Sequence, residues 1–238
     1  MKRILFFAIF IGFAFSSEAQ YFYGLKGGVG ANFQQWNTSE RDLIFTPHVD
    51  VYVESHDDEL NKLYASLGFH TRGSTVLFNG LQSSNTLRFN NIVLEAGFKK
   101  VLNNEDKYRP YYYVGGRLEY TATTNFSERG GTTIFSLVDE TFVKRIVAGL
   151  TVGGGFEFYQ SPTRVLFAEV SINPDATRQY FQETALTVIN PNPSPYNPTN
   201  TITLQPQEVR NISLELKIGI KFMQNIPDEL WDELYGDN

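Results

Sequence analysis

The chain has 238 residues, no cysteine, 20 Lys and Arg against 26 Asp and Glu, and a formal net charge of -6. Lacking cysteine, it has no disulfide framework, thiolate metal site or lipid-anchored N-terminal cysteine. Its acidic balance offers no basic stripe for nucleic acid, and an all-β chain of this length reads as one large domain.

The first segment reads as an export signal. Lys2 and Arg3 form a positive n-region, Ile4 to Phe15 an apolar run, and Ser17-Glu18-Ala19 a small-x-small cleavage site, so residues 1–19 are assigned to a signal peptide. That run is short for a spanning helix, and no run of about 18 apolar residues follows Ala19. Any membrane crossing must then use strands closed into a barrel.

A period of two begins at Tyr21. Tyr21, Tyr23, Leu25, Val29, Ala31 and Phe33 alternate with a face of Gly24, Lys26, Gly28, Gly30 and Asn32. The next strand sets Leu43, Phe45, Val49, Val51 and Val53 against Thr46, His48, Asp50, Tyr52 and Glu54, with Pro47 tolerable at an edge or bulge. A short turn leads to Leu63, Ala65, Leu67 and Phe69 against Ser66, Gly68, His70 and Arg72. Strand four, about Leu87 to Leu102, sets Ile92, Leu94, Ala96 and Phe98 opposite Glu95, Gly97 and Lys99. Strand five points Tyr112, Val114, Leu118 and Tyr120 away from Arg117, Glu119 and Thr121. Strands six and seven repeat the pattern around Glu157 and Glu169. The strand near the C-terminus, Arg210 to Phe222, alternates Ile212, Leu214, Leu216, Ile218, Ile220 and Phe222 with Ser213, Glu215, Lys217 and Lys221.

That makes about eight strands, and their links alternate between short and long, as outer-membrane barrels place short turns in the periplasm and long loops outside. Asn79-Gly80 has the type I′ hairpin pair, and Glu128 to Gly131 separates two strand-like runs. The last link, Asn173 to Glu208, contains the proline-rich NPNPSPYNP; beneath it Thr184 to Ile189 and Thr201 to Gln205 are candidates to pair. The expected fold is an antiparallel, up-and-down transmembrane β-barrel over residues 20–222, with a filled polar lumen. A soluble lipocalin-like barrel has the same period with reversed faces. Against it stand the glycine- and threonine-rich polar face and the aromatics near the ends of the apolar faces, as interfacial girdles require.

The run IVLEAGFKKVLNNEDKYRPYYYVGGRLEY (Ile92 to Tyr120), with Arg109-Pro110-Tyr111 after the turn, and the opening YGLKGGVGANF resemble the outer-membrane barrel family of Bacteroidota called porin-family or PorT-like. Ala96 stands where that pattern usually has proline. The resemblance implies a barrel in the Gram-negative outer membrane, in contact with its lipid, and brings no catalytic residues or cofactor.

An eight-stranded lumen is just wide enough for side chains to fill. The inward acids Asp50, Glu54, Glu95, Glu119, Glu157, Glu169 and Glu215 nearly balance the bases Lys26, Arg72, Lys99, Arg117, Lys217 and Lys221, as a buried network must. One register sets Glu95 opposite Arg117 and predicts an ion pair. His48, Asp50 and His70 together have the residue types of a metal-ligand set, read here as members of the polar network because no motif spacing supports a site. The Gly27-Gly28-Val29-Gly30 run lies in a strand, so it is not a phosphate loop. His48, His56 and His70 all read as lumenal or in a short turn, which leaves no lipid-facing histidine for a Ser/His/acid enzyme.

Recognition is left to two regions. One is the outer loops, with Trp36, Phe135, Tyr180 and Tyr196. The other is the acidic tail, residues 223–238, where Pro227 suits a first helical position and Leu230, Trp231 and Leu234 form an apolar face for an envelope partner. The leading expectation is a non-enzymatic barrel binding through these regions; the alternatives are a barrel enzyme acting on lipid or lipopolysaccharide and a soluble ligand carrier.

Overall fold

A computed structural model describes residues 21–36, 42–55, 60–78, 83–102, 107–129, 140–161, 163–189 and 201–223. Its strands are β1 (Tyr21–Trp36), β2 (Asp42–Ser55), β3 (Asn61–Phe78), β4 (Ser83–Val101), β5 (Tyr108–Arg129), β6 (Ile146–Ser161), β7 (Arg164–Pro174), β8 (Tyr180–Gln182), β9 (Leu186–Ile189), β10 (Thr201–Leu204) and β11 (Gln207–Met223). β1 to β7 pair antiparallel in chain order, and β11 closes the ring between β7 and β1. This is the expected eight-stranded up-and-down barrel. β8 adds to the outer end of β11, and β9 pairs with β10 as a separate ribbon, as the sequence indicated.

Alternation fixes which face is which. In β11, Leu214, Leu216 and Ile218 are 46%, 55% and 68% exposed, while Ser213, Glu215 and Lys217 between them are at most 1% exposed. A one-residue slip would exchange the two sets, so the apolar pattern sets the register. The polar side chains are inside and the large aliphatic ones outside, the reverse of a water-soluble barrel.

The apolar face has nearly the height of the apolar band of an outer-membrane barrel. On β5 it runs from Tyr112 through Val114 and Leu118 to Tyr120, a tyrosine at each end and all about half exposed. Nine residues rise about 27 Å along a strand, or about 20 Å of height at a tilt near 40°, close to the ~25 Å apolar band of outer-membrane barrels. Above Tyr120 the outward side chains turn polar at Thr123 and Asn125. No helix among the described residues is long and apolar enough to cross a membrane.

Aromatics fill the lumen toward its short-turn end. Tyr52, Tyr64, Tyr111, Tyr113 and Phe167 form one buried cluster. Glycine makes the room for them: a Cβ on Gly219 would lie 2.3 Å from the Phe167 ring, and one on Gly153 would lie 2.5 Å from that of Tyr113. Pro47 sits where the β2–β3 register shifts between Leu43 and His48, a place where its missing N–H costs no ladder bond.

Two expectations need correction, and several lie outside the described residues. The last long link does not leave the barrel at Asn173. β7 continues to Pro174, and the segment after it packs back into the barrel end, where Gln179, Tyr180 and Gln182 are at most 1% exposed. Tyr180 is therefore core, packed with Leu87, Phe89, Val143 and Val209, and not a loop recognition residue. In this excursion polar Gln179 is buried and apolar Phe181 faces out, so it carries no strand pattern. β3 and β4 stay paired up to Phe78 and Ser83, but Asn79-Gly80 between them lies outside the described residues. So do residues 1–20, 130–139, 190–200 and the tail with Pro227, Leu230, Trp231 and Leu234.

Candidate functional site

Every strand of the barrel sends charge inward. Asp50, Glu54, Glu95, Glu119, Glu157, Glu169, Asp175 and Glu215 face Lys26, Lys62, Arg72, Lys99, Arg117, Lys217 and Lys221, and none of them is more than 8% exposed. His70 sits between two of these carboxylates, 2.7 Å from Asp50 and 3.4 Å from Glu215. Charges buried this deeply persist only when paired and hydrogen-bonded.

The pairs form one chain of contacts from rim to rim. At the short-turn end, Lys221 Nζ lies 2.6 Å from both Glu54 and Glu157. Lys99 is 2.8 Å from the other oxygen of Glu54 and also pairs with Glu157, and Lys62 is 3.4 Å from Glu54. The Lys99 ammonium sits 3.9 Å over the Tyr111 ring, and the Tyr111 hydroxyl donates to Glu169 at 3.0 Å. Glu169 takes Lys26 at 3.2 Å and Lys217 at 3.8 Å. Lys217 reaches Glu215 at 2.9 Å, and Glu215 holds Arg72 at 2.5 Å. Arg72 is 3.1 Å from Glu119, which is 2.8 Å from Arg117, which is 2.7 Å from Asp175. Asn211, Gln34 and Ser74 carry hydrogen bonds on toward the long-loop rim.

Of the lumen residues singled out in the sequence, Lys26, Arg72, Lys99, Arg117, Glu119, Glu215 and Lys217 are all in ion pairs here, and Asp50 is hydrogen-bonded to His70. Glu95 is the exception. Its backbone lies opposite Arg117 as the register required, yet it accepts a hydrogen bond from Thr151 at 3.2 Å, while Arg117 turns to Glu119 and Asp175. The expected Glu95–Arg117 pair does not form, because a long guanidinium reaches diagonally and Asp175 lies within that reach. Asp175 and Lys62 were missed. Carrying the alternation one step past Pro174 and one step before Leu63 finds both.

The histidines are together. His48 and His70 stack at 4.8 Å between ring centroids, and ligand atoms of His48, His70 and Glu215 lie within 4.8 Å of one another. The donor set would suit a borderline metal. Its surroundings oppose one: Arg72 and Lys217 already occupy the two Glu215 oxygens, and His70 donates or accepts at 2.7 Å with Asp50. Two fixed cations beside the only carboxylate of the set repel a third. Asp50, grouped with both histidines in the sequence, partners His70 alone among the described residues.

This lumen is a closed plug in which acids and bases are cross-paired. Its chemistry is that of a staple joining the strands, since removing one member leaves its partners buried and uncompensated.

No protein-family model matches the chain, and no curated protein matches it. Solved structures similar to it are outer-membrane barrels. Neisserial surface protein A is 12% identical, with a TM-score of 0.46 over 84% of this chain and 96% of that one. The outer membrane protein OprG from Pseudomonas aeruginosa is 8% identical, with a TM-score of 0.45 over 86% and 96%. The outer membrane protease OmpT from Escherichia coli is 10% identical, with a TM-score of 0.35 over 86% and 95%. These are likenesses of general fold, shared by a protease and by non-catalytic barrels, and they carry nothing about activity.

Proposed function

We propose that this chain is an integral protein of the Gram-negative outer membrane, exported by its N-terminal segment, in which a plugged barrel presents outer loops and an acidic C-terminal tail to another envelope component. The observation that carries this reading is that the large aliphatic side chains of the barrel strands stand half exposed on the outer face while the charged groups of the same strands are buried inside. Only a solvent that is itself apolar makes that outer face favourable. The aromatic cluster and ion-pair chain fill the lumen, so recognition at the rims suits the molecule better than solute diffusion. A non-catalytic role fits the placement of the lumen histidines, His70 held by Asp50 and Glu215 and His48 stacked on its ring. The PorT-like character of the Ile92 to Tyr120 run would make it a Bacteroidota envelope protein.

Carbonate extraction of membranes tests the location: the chain should stay in the pellet, and release into the supernatant would favour the soluble carrier. Affinity purification from gently solubilised membranes, with and without residues 224–238, tests the role. A partner lost with the tail assigns recognition there, one retained assigns it to the loops, and an altered lipid A profile in a deletion strain would favour an enzyme.

A further inference from the structure

The outward face of the barrel carries a groove of about 500 Å³ at the long-loop rim, built by the segment that follows β7. β7 stops at Pro174, short of the start of β6, and the chain crosses the gap. Asp175 bridges Gly149, and the amides of Ala176 and Thr177 donate to the Ala148 carbonyl at 2.8 and 3.1 Å. Lys144 N then donates to Gln179 O at 2.8 Å, and Gln179 N donates to Val209 O at 2.9 Å. Gln179 and Tyr180 point inward and are fully buried. Arg178 and Phe181 are left on the outside.

The groove has an apolar floor and a basic margin. Ile146, Ala148 and Phe181 line it together with Lys144, Arg178 and Arg210. Arg178 is held in place by Glu208 at 2.7 Å and by the Phe181 ring 4.4 Å from its guanidinium carbon. Lys144 and Arg210 are exposed and make no ion pair among the described residues. Among the described residues, three cations thus converge with one carboxylate between them, on a chain whose net charge is -6. Below lies the aliphatic band: Ile146 is 69% exposed and Leu150, on the same face of β6, 54%.

We infer that this groove binds a phosphorylated glycolipid of the outer leaflet, its phosphate against Lys144, Arg178 and Arg210 and an acyl chain along Ile146, Ala148 and Leu150. The inference rests on the outer-membrane reading, which puts the long-loop rim at the outer surface. The volume suits a headgroup more than a bare anion. Arginine meets phosphate through paired N–H donors, and basic pockets beside an apolar span are the usual recognition of anionic lipid headgroups. The continuity of the groove with the aliphatic band selects a lipid over a soluble phosphate.

The test uses the full mature chain in detergent micelles, titrated with bis-phosphorylated lipid A and followed by native mass spectrometry. Dephosphorylated lipid A and inorganic phosphate are separate arms. The Lys144→Gln/Arg210→Gln variant removes the two groove cations that make no ion pair among the described residues, and heat-modifiable mobility verifies that it is folded. Bis-phosphorylated lipid A should bind the wild type, bind this variant roughly tenfold or more weakly, and bind Arg210→Lys almost as well as wild type. Equal affinity of wild type and double variant would overturn the inference, as would equal binding of the dephosphorylated lipid or saturation by inorganic phosphate alone. A Lys100→Gln/Lys107→Gln variant at the opposite rim should bind like wild type, and a loss there matching the double variant would mean unspecific charge attraction. Failure of the chain to remain in carbonate-washed membranes would instead strike at the location itself.

Discussion

Glu54 is where the lumen network is most exposed to a single change. Its two oxygens meet Lys221 at 2.6 Å, Lys99 at 2.8 Å and Lys62 at 3.4 Å, and it is 1% exposed. Glu54→Gln keeps the shape and removes the charge, leaving three ammonium groups around Glu157 alone. At an effective dielectric near 20 each such contact is worth about 5 to 6 kcal/mol in gross Coulomb terms, most of it offset by the desolvation already sustained. The net cost of breaking a buried network from one side is about 3 to 5 kcal/mol. Urea unfolding in detergent micelles, followed by loss of the heat-modifiable compact band, should show that loss. Adding Lys62→Met should recover part of it, because one of the uncompensated cations goes with it. A loss under about 1 kcal/mol for Glu54→Gln would refute the reasoning, since it would mean that water screens these charges.

The lipid face gives a second test: Val114→Arg, within the tyrosine-bounded band, should cost about 2 to 4 kcal/mol in bilayer folding, while Thr123→Arg above the band should cost at most about 1 kcal/mol. Equal costs would remove the case for a band ending at Tyr120. Gly219→Ala puts a methyl 2.3 Å from the Phe167 ring and 2.7 Å from the Leu25 carbonyl, so urea titration should register an overpacking loss of about 1 to 3 kcal/mol, partly recovered by Phe167→Leu. In liposome swelling assays the wild type should admit no small sugars, and Tyr64→Ala/Tyr113→Ala, which thins the aromatic cluster, should admit more. Rapid sugar uptake by the wild type would contradict a filled lumen.

Much of this molecule is legible from a period of two. Once Leu214, Leu216 and Ile218 are taken as one face, Glu215 and Lys217 must be on the other, and the same parity sorts Asp50, Arg72, Lys99 and Glu119. Pairing partners are harder to read. Parity and register fix where a Cα sits, but lysine and arginine reach over two strands, so Arg117 passes over Glu95 for Glu119 and Asp175. Folding over at a rim is also hidden. Asp175, Gln179 and Tyr180 look like loop residues; partners waiting at Arg117, Asn211, Thr121 and Asn91 make the burial of the first two favourable, and apolar packing on Phe89 and Val209 that of Tyr180. The groove between Lys144 and Arg210 follows from that excursion, and no local pattern announces it.

The account stands or falls on which face of β11 meets lipid. The absence of native cysteine allows single cysteines, spin-labelled, at Ser213, Leu214, Leu216 and Ile218 in bilayer-reconstituted protein, with collision rates measured against oxygen and a water-soluble nickel chelate. Labels at Leu214, Leu216 and Ile218 should collide readily with oxygen and little with the chelate, and the label at Ser213 should meet little of either. High chelate collision at the three outward positions would contradict the account, because that face would then be in water.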